Sequence, residues 1–347
     1  MLEVDGGAKS GSGTILRLSV AIAAILSQPL HIYNIRKKRA KPGLRPQHLE
    51  AVLTAAKLCS AEVKGAKVGS TEVWFYPKEV SGGFYQANIG TAGSIPMLIM
   101  TVLPICAFAE KPVDLRIMRG GTDVSHSPTI NYIRNVLLPR LNMMGLSAQI
   151  KVVKYGYYPK GMGEVHLKVN PSRRLKPLWL TEFGELEKIE GISVCTFLEE
   201  RKVAERQKNA ALKTLKNGGY DAEIQVLNDR SNPLQKGSSI TLWAKTSKGC
   251  IIGADAIGEL GKRSEDVGRE AATKLIEELE AKPTVDVHLA DMLIPYMALA
   301  HGRSAYLVRT VTDHLETNVW LIEELTGVKF KLSKVGNLIK VECEGVG

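Results

Sequence analysis

Hydrophobic and polar positions along the chain follow two periods, which predict short strands separated by helices. Alternating residues, as in Leu30–Ile35, predict a strand, whereas apolar residues at helical spacing across Pro46–Cys59 predict a helix with one buried face. From the N-terminus these patterns give the order strand, helix, strand, helix, strand, strand. The first unit then has strands at Leu2–Val4, Leu30–Ile35, Glu62–Val63 and Glu72–Tyr76 and helices at Thr14–Ser27 and Pro46–Cys59.

The same order recurs in two further units. The second has strands at Phe84–Ile89, Val113–Met118, Ala148–Val153 and Glu164–Val169 and helices at Ala92–Phe108 and Pro128–Met144. The third starts with a strand at Leu178–Leu180 and resumes after a long interruption, with helices at Asp286–Ala300 and Asp313–Leu325 and strands at Tyr306–Val308, Lys329–Leu332 and Leu338–Val341. Repetition at this spacing indicates one α+β architecture built three times.

The interruption has a pattern of its own. Its strands are predicted at Ile192–Phe197, Ala222–Leu227, Ser239–Ala244 and Cys250–Ala254, and its helices at Val203–Asn217 and Glu265–Glu280. A small α+β domain inserted into the third unit accounts for this order. We therefore expect a large domain made of residues 1–183 and 283–347 and an inserted domain made of residues 184–282.

The composition restricts the class of protein. With 347 residues, 44% of them hydrophobic and 24% charged, the chain is long enough for a large core and is expected to be soluble and globular. Five scattered cysteines and a start without a signal-peptide pattern predict a cytoplasmic protein with no membrane partner. The net charge of +10 favours a polyanionic partner, although Lys- and Glu-rich thermophilic proteins are an alternative explanation.

The stretch Arg309–Asn318 predicts the end of a strand, a polar turn and the start of a helix. Thr312 or Asp313 can cap this helix, which puts His314 in the first turn, at the positive end of the helix dipole. That position disfavours the imidazolium, keeps a neutral nucleophilic ring and is also where a phosphate docks. The local sequence alone favours a capping or solvated histidine, so a catalytic role depends on what the rest of the chain brings to it.

A cluster of cations lies between Asn34 and His48, with six Lys and Arg residues in the ten positions 36–45. Such a cluster suits several phosphates at once, because arginine can bind a phosphate through two hydrogen bonds. Pro42, Gly43 and Pro46 stiffen the turn that presents the charges. This stiffening favours an anion site over an exposed basic loop.

Three further stretches carry candidate chemistry. The glycine-rich turn Asp5–Thr14 lets the backbone approach an anion at a helix start, but it matches neither a Walker loop nor a dinucleotide fingerprint. The turn Met118–Pro128 contains Asp123, a candidate partner for a metal or a hydroxyl group. The tyrosines of Tyr155–Glu164 are candidates to stack on bases, although packing is the commoner role.

Taken in order, these stretches resemble the RNA 3'-terminal phosphate cyclase family over nearly the whole chain. The matching stretches are Asp5-Gly6 and the loop ending in Ile15-Leu16-Arg17, Ile35-Arg36 with Arg39, Pro42–His48, Thr91–Ser94, Gly120–Asp123, Gly156–Gly161, Leu289–Asp291, and His314 with Thr317-Asn318. The resemblance implies three repeats of a four-stranded sheet with two helices. It also implies a small inserted α+β domain of thioredoxin-like topology.

The resemblance further implies ATP-dependent conversion of an RNA 3'-phosphate to a 2',3'-cyclic phosphate. His314 would attack the α-phosphate of ATP, and the AMP on its ring would pass to the RNA 3'-phosphate before the 2'-hydroxyl displaces it. The residues implied to hold the nucleotide are Arg17, Pro128, His288, Asp291, Met292 and Asn318. Those implied to hold the RNA phosphate are Arg36, Arg39, Arg45, Gln47 and His48. Mg²⁺ or Mn²⁺ would bridge the ATP phosphates.

The sequence departs from the family pattern at several positions. Ser10 stands where the family has a metal-binding glutamate, and Met100, Met162, His288 and Met292 also differ from the usual residues. Two alternatives stay open: a non-catalytic cyclase-like protein that binds RNA or assists ribosome assembly, and an enolpyruvyl-transferase-like enzyme with the same repeats. The presence of His314 argues against the first alternative, and the Gln-His turn argues against the second. The metal ligands and the oligomeric state stay open, and an oligomer is compatible with the sequence.

Overall fold

A computed structural model describes residues 1–172 and 174–347 of the chain. The first unit contains strands β1 (Leu2–Asp5), β2 (Leu30–Tyr33), β3 (Glu62–Lys64) and β4 (Val73–Tyr76) and helices α1 (Gly13–Leu26) and α2 (Pro46–Leu58). The second contains β5 (Gly83–Asn88), β6 (Val113–Gly120), β7 (Ser147–Lys154) and β8 (Gly163–Asn170) with α3 (Ile95–Ala107), α4 (Ile130–Tyr132), a π-helical turn (Ile133–Leu137) and α5 (Leu138–Met143).

The third unit is interrupted after its first strand, β9 (Trp179–Leu180). The interrupting unit contains β10 (Leu186–Thr196), α6 (Val203–Asn217), β11 (Glu223–Asp229), β12 (Gly237–Thr246), β13 (Ile251–Ile257) and α7 (Ser264–Ala281), with a short 3-10 helix at Glu199–Arg201. The third unit then continues with α8 (Val287–Ala298), β14 (His301–Val308), α9 (Asp313–Thr326), β15 (Phe330–Val335) and β16 (Leu338–Val346).

Three of the sheets share one strand arrangement. In the first sheet β1 is parallel to β2, and β4 is antiparallel to both β2 and β3. The orders β5-β6-β8-β7 and β9-β14-β16-β15 repeat this arrangement, each with one parallel and two antiparallel pairs. The shared arrangement confirms the prediction of an α+β fold that uses one unit three times.

The core lies between the sheets and the helices that cover them. In β2, the buried Leu30 and Ile32 alternate with the half-buried His31 and Tyr33, so one face of the sheet points inward. Helix α1 is buried continuously from Ile15 to Ala24, as expected for a helix that is apolar on all sides. No helix in the described ranges has both the length and the apolar character that a membrane span requires.

Three predicted boundaries differ from the structure for local reasons. Strand β2 ends two residues early, because Asn34 and Arg36 have φ angles of 52° and 55° and turn the chain. Helix α3 starts at Ile95, where the Ser94 hydroxyl accepts the Met97 N–H at 3.1 Å. The second helix of the same unit starts at Ile130 and contains the π-helical turn, which no sequence pattern indicated.

The interrupting unit has its own sheet, of order β11-β10-β12-β13, and its own apolar cluster between that sheet and the helices α6 and α7. A two-point ion pair joins the helices, since Arg206 Nε and Nη2 donate to the Glu265 carboxylate at 2.7 and 2.9 Å. The charged face of α6 is thus partly paired within the unit. The domain boundaries after residues 183 and 282 and the thioredoxin-like topology stay predictions.

Candidate active site

The starts of helices α1, α3, α8 and α9 surround a cavity of about 330 Å³. Each contributes a residue of its first turn to the cavity wall: Thr14, Met97, His288 and His314 respectively. The first turn of a helix carries positive partial charge and N–H groups without an intrahelical acceptor. Four such turns around one cavity favour a ligand that carries several negative charges.

Each of these helices begins at a short polar side chain that accepts a hydrogen bond from the first turn. The caps are Ser12, Ser94, Asp286 and Thr312. At α9 the Thr312 hydroxyl accepts the Leu315 N–H at 3.1 Å, so Thr312 rather than Asp313 is the cap. The capping pattern places His314 where the sequence predicts it, in the first turn.

Asp286 accepts the hydrogen bonds that hold the start of α8 in place. Its Oδ1 accepts the Tyr132 hydroxyl at 2.7 Å and the N–H groups of His288 and Leu289 at 3.0 Å, and its Oδ2 accepts the Gly253 N–H at 2.8 Å. One buried carboxylate therefore fixes the start of α8 against α4 and β13. The position of His288 in the cavity wall depends on these bonds.

Arg17 supplies a buried positive charge to the cavity. Its side chain is 8% exposed, and Nη2 donates to Thr14 Oγ1 at 3.1 Å and to Met97 Sδ at 3.2 Å. Burial lowers the pKa of Arg17 to about 10, which leaves it charged at neutral pH. Across residues 1–172 and 174–347 no carboxylate forms an ion pair with it. Because a buried unpaired charge is unfavourable, this arrangement fits an anionic ligand.

His314 is accessible to solvent at the cavity wall, and its ring makes no hydrogen bond to the described part of the chain. Partial burial lowers its pKa, and the charges of Arg17 and Arg39 lower it further, against the opposing effect of Asp313. The ring is therefore neutral at physiological pH, with a lone pair available for attack.

Asp291 and Asn318 line the same cavity as Arg17. Burial, with a contribution from Asp286, raises the pKa of Asp291 to about 8, although Arg17 opposes the shift. At neutral pH the carboxyl group is therefore mostly protonated and does not repel phosphate. Asn318 Nδ2 donates to the Asp291 carbonyl at 2.9 Å, while its Oδ1 is buried without a partner among the described residues. An unsatisfied amide oxygen of this kind is expected to meet a ligand or water.

The residues that the resemblance assigns to the nucleotide and the nucleophile gather at this cavity. Its wall includes Arg17, Pro128, His288, Asp291, Met292, His314 and Asn318. Arg36, Arg39, Arg45, Gln47 and His48, which the resemblance assigns to the RNA phosphate, lie outside that wall. They belong to the basic turn between β2 and the start of α2.

The basic turn is tied to α9 through the glycine-rich loop. Lys38 Nζ donates to the Lys9 carbonyl at 2.9 Å, and Lys9 Nζ pairs with Glu316 at 3.0 Å. Ser10 N–H also donates to the Thr317 hydroxyl at 3.4 Å. These contacts bring the cationic turn beside His314, which agrees with the effect of Arg39 on the histidine pKa.

Arg36 and His48 hold the interior of the turn. Arg36 Nη1 donates to the carbonyls of Lys41 and Gly43 at 2.8 Å each, which closes the turn. The ring of His48 is 4% exposed, and its Nδ1 accepts the Arg45 N–H at 3.2 Å. Burial is the main cause that lowers the pKa of His48 to about 3, and the charges of Arg17, Arg36 and Arg45 contribute to the same shift. His48 is therefore neutral, with its proton on Nε2.

Gln47 connects the turn to the second unit, because its Oε1 accepts the Ser94 N–H at 2.8 Å, next to the cap of α3. A metal site made of protein ligands does not fit here. The described residues contain no group of three His, Cys, Asp or Glu side chains able to hold a metal ion. Ser10, which replaces the expected glutamate, instead donates its hydroxyl to Ser12 Oγ at 3.1 Å.

Asp123 and two tyrosines of the Tyr155–Glu164 turn lie in the interior of the protein. Asp123 is 2% exposed, accepts the Thr122 hydroxyl at 2.6 Å and is absent from the described cavity wall. Tyr155 and Tyr157 are buried, and Tyr157 packs beneath Gly237 of the interrupting unit. Tyr155 and Tyr157 therefore pack inside the protein, whereas Tyr158 of the same turn is 77% exposed, and its stacking on a base stays a prediction.

Two of the cavity residues that escaped the sequence analysis carry an ionisable side chain. Asp255 of β13 and Lys274 of α7 belong to the interrupting unit, yet both line the cavity beside His288 and Pro128. Their local sequences resemble an ordinary strand and a charged helix face. Only the packing of the interrupting unit onto the second unit brings them to the site.

Comparison with known proteins agrees with this arrangement. The family model described as RNA 3'-terminal phosphate cyclase matches residues 8–332. A Pyrobaculum neutrophilum protein named RNA 3'-terminal phosphate cyclase is 45% identical, and the match covers 100% of this chain and 99% of that protein. Proteins of the same name from Methanopyrus kandleri and Pyrococcus furiosus are 42% and 44% identical, with 100% and 96% of this chain and 99% and 95% of theirs covered.

Proposed function

Because the chain belongs to the RNA 3'-terminal phosphate cyclase family, we propose that it converts the 3'-phosphate of an RNA to a 2',3'-cyclic phosphate at the expense of ATP. The observation that carries the proposal is a neutral His314, whose ring makes no hydrogen bond to the described residues, beside the buried Arg17, which has no ion pair among them. This pair combines a nucleophile with a group that neutralises phosphate charge.

In the first step a ring nitrogen of His314 attacks the α-phosphorus of ATP. The bond from that phosphorus to the pyrophosphate oxygen breaks, pyrophosphate leaves, and AMP is held through a phosphorus–nitrogen bond. Arg17 offsets the charge that develops on the phosphate oxygens. The cavity wall offers Pro128 and His288 to the base and Asp291, Met292 and Asn318 to the rest of the nucleotide.

In the second step an oxygen of the RNA 3'-phosphate attacks the same phosphorus and releases His314. The vicinal 2'-hydroxyl then attacks the 3'-phosphorus, and AMP leaves as the ring closes. Arg36, Arg39 and Arg45 of the basic turn are the cations available to hold the RNA phosphate, with Gln47 beside them. His48, whose Nδ1 accepts the Arg45 N–H, keeps its Nε2–H as a neutral donor next to Gly13.

In this proposal Mg²⁺ or Mn²⁺ binds together with ATP and is not held by the protein alone. Magnesium is commonly held by substrate phosphates and water with one or two carboxylates, rather than by a cage of protein ligands. The site around Ser10 fits that mode better than a resident metal, since the loop offers hydroxyl groups and no carboxylate cluster.

The test is incubation with ATP labelled at the α-phosphate, with Mg²⁺ or Mn²⁺, followed by denaturing electrophoresis. Wild type, His314→Ala and the control His301→Ala, a histidine on β14 outside the cavity wall, are compared. We expect an acid-labile label on wild type and on the control, and none on His314→Ala. RNA ending in a 3'-phosphate should then acquire a phosphatase-resistant end only with the labelled proteins.

Absence of label on a folded wild-type protein with either metal would refute the proposed first step. An RNA-binding relative without catalysis then becomes the better interpretation. Label that persists in His314→Ala would assign the nucleophile to another residue.

A further inference from the structure

The interrupting unit contributes one end of the cavity. Asp255 and Lys274 are the cavity residues that come from it, whereas the remaining wall comes from the three repeated units. Neither residue takes part in the steps proposed above. Their position raises the question of which part of a nucleotide they would meet.

Asp255 is fixed in place next to Pro128. Its Oδ2 accepts the N–H of Thr129, the residue after Pro128, at 2.7 Å, and the Thr129 hydroxyl bonds that of Thr241 at 2.7 Å. A carboxylate has about four acceptor sites, so the bonds that Asp255 receives from the backbone and the side chain of Thr129 leave it able to accept from a ligand in the cavity. Burial raises the pKa of Asp255, and the charges of His288 and Lys274 oppose that shift.

Lys274 lies beside Asp255 and keeps one N–H of its ammonium group for a ligand. Its Nζ donates to the Asp255 carbonyl at 3.1 Å and to Glu270 at 2.7 Å. An ammonium group has three protons, so one can still reach a ligand. The end of the cavity therefore presents an acceptor and a donor side by side.

This pair lies at the edge of the space between Pro128 and His288, where the proposed function puts the base. We propose that Asp255, with Lys274, reads the edge of that base, the Asp255 carboxylate accepting the exocyclic amino group of adenine and Lys274 donating to a neighbouring ring nitrogen. The inference rests on the proposed function, and it makes the inserted unit the part of the molecule that selects the nucleotide.

The proposed contacts predict that the site distinguishes adenine from other purine bases. Adenine has a 6-amino donor beside an acceptor nitrogen on both its Watson–Crick and its Hoogsteen edge, which matches an acceptor next to a donor. Hypoxanthine has a 6-oxo acceptor that faces the carboxylate unfavourably, and unsubstituted purine has no group there. A hydrogen bond to a charged partner is worth about a 10- to 100-fold difference in affinity.

The experiment measures equilibrium binding of ATP, inosine triphosphate and purine riboside triphosphate to His314→Ala protein, so that no nucleotide is consumed. The variants are Asp255→Asn and the control Asp221→Asn, which changes an exposed carboxylate of the same unit. The amide can still accept the Thr129 N–H through its oxygen while it donates to the ligand through its nitrogen.

We expect the unchanged site and the Asp221→Asn control to prefer ATP over the other two by about 10-fold or more. In Asp255→Asn the preference for ATP over purine riboside triphosphate should fall close to one, and inosine triphosphate should gain. Equal affinity for all three nucleotides at the unchanged site overturns the inference.

An equal loss of all three affinities in Asp255→Asn also overturns it, since that pattern indicates a structural role. The α-phosphate labelling experiment tests the proposed function separately. Wild-type protein that accepts label but binds the three nucleotides equally would keep the function and lose this inference. Discriminating binding without label would do the reverse.

Discussion

Two histidines in different regions of this molecule each lie in the first turn of a helix, but they differ in exposure to solvent. His48 lies in the first turn of α2 and His314 in the first turn of α9. In both, burial and neighbouring arginines lower the pKa of the ring. His48 is enclosed by Gly13 and Arg17, with Nδ1 bonded to the Arg45 N–H, whereas His314 is exposed.

The comparison separates two properties of a histidine at a helix start: the charge of its ring and the availability of its lone pair. Burial, aided by the charges of neighbouring arginines, keeps either ring neutral, which is a condition for attack but not sufficient for it. Packing then decides the role, because the bond from Arg45 commits the lone pair of His48 Nδ1 and leaves Nε2 as a donor. His314 keeps its lone pair free. Burial and neighbouring charges thus account for the neutral rings, and the exposed ring of His314 is the one that the proposed attack requires.

Replacing each histidine by asparagine should give the largest difference in activity between the two positions. His314→Asn should lower covalent AMP labelling by at least about 10⁴-fold, because the nucleophile is lost. His48→Asn should keep labelling within about 10-fold and lower cyclisation of RNA ends by about 100-fold, the typical effect of removing one donor to a charged oxygen. Equal loss of labelling in both variants would contradict the division of roles.

The second prediction concerns stability at acid pH. The folded protein holds His48 neutral down to a pKa of about 3, whereas the unfolded chain takes up a proton below about 6.5. The unfolded state therefore binds more protons in this window, and stability falls as pH falls. Each pKa unit corresponds to about 1.4 kcal/mol, so wild type should lose about 3 kcal/mol more than His48→Gln between pH 7 and pH 4.5.

Urea unfolding at the two pH values measures this difference. His314→Gln serves as the matched control, since its exposed ring should make a smaller contribution. A pH dependence that is identical in wild type and His48→Gln would show that His48 is not held neutral by the fold.

Gly13→Ala should damage the enclosed histidine selectively. The added methyl group would lie 2.3 Å from His48 Nε2 and 3.0 Å from Arg17 Nη1, so the ring must move. Overpacking of this kind costs about 1–3 kcal/mol of stability, measurable as a lower urea midpoint. In a double variant with His48→Ala the clash disappears, and Gly13→Ala should then add little. Additive losses would place the cause elsewhere.

The smallest effect is expected for Arg39→Gln. Removing this charge should raise the pKa of His314 towards its ordinary value, so labelling should begin to fall at a higher pH as acid is added. We expect a shift of less than about one pH unit that shrinks with added salt. Lys41→Gln, an exposed change in the same turn, is the control. A shift to lower pH, or an equal shift in the control, would contradict the predicted sign.

The sequence predicts those features of the site that local patterns determine. The order of strands and helices follows from periodicity, and the place of His314 follows from a capping threonine and the helix behind it. The stiff basic turn is likewise visible from its prolines and its glycine. These features need no knowledge of what packs against them.

The remaining features depend on contacts between segments far apart in the chain. Asp255 and Lys274 reach the cavity only because the interrupting unit packs against Thr129, and Tyr157 is buried because Gly237 lies over it. Asp123 is also buried, next to Thr122 and to Ser239 of the interrupting unit. This burial raises its pKa to about 7. Single-sequence patterns carry no signal for such contacts.

The contacts from Lys9 to Glu316 and from Ser10 to Thr317 join positions 307 residues apart. During synthesis the loop and the basic turn leave the ribosome well before the helix that bears His314. Covalent labelling of His314 is therefore expected only after that helix has been made. A chain that stops before α9 carries the cations of the basic turn without His314, so the order of the chain itself withholds the proposed activity from such a chain.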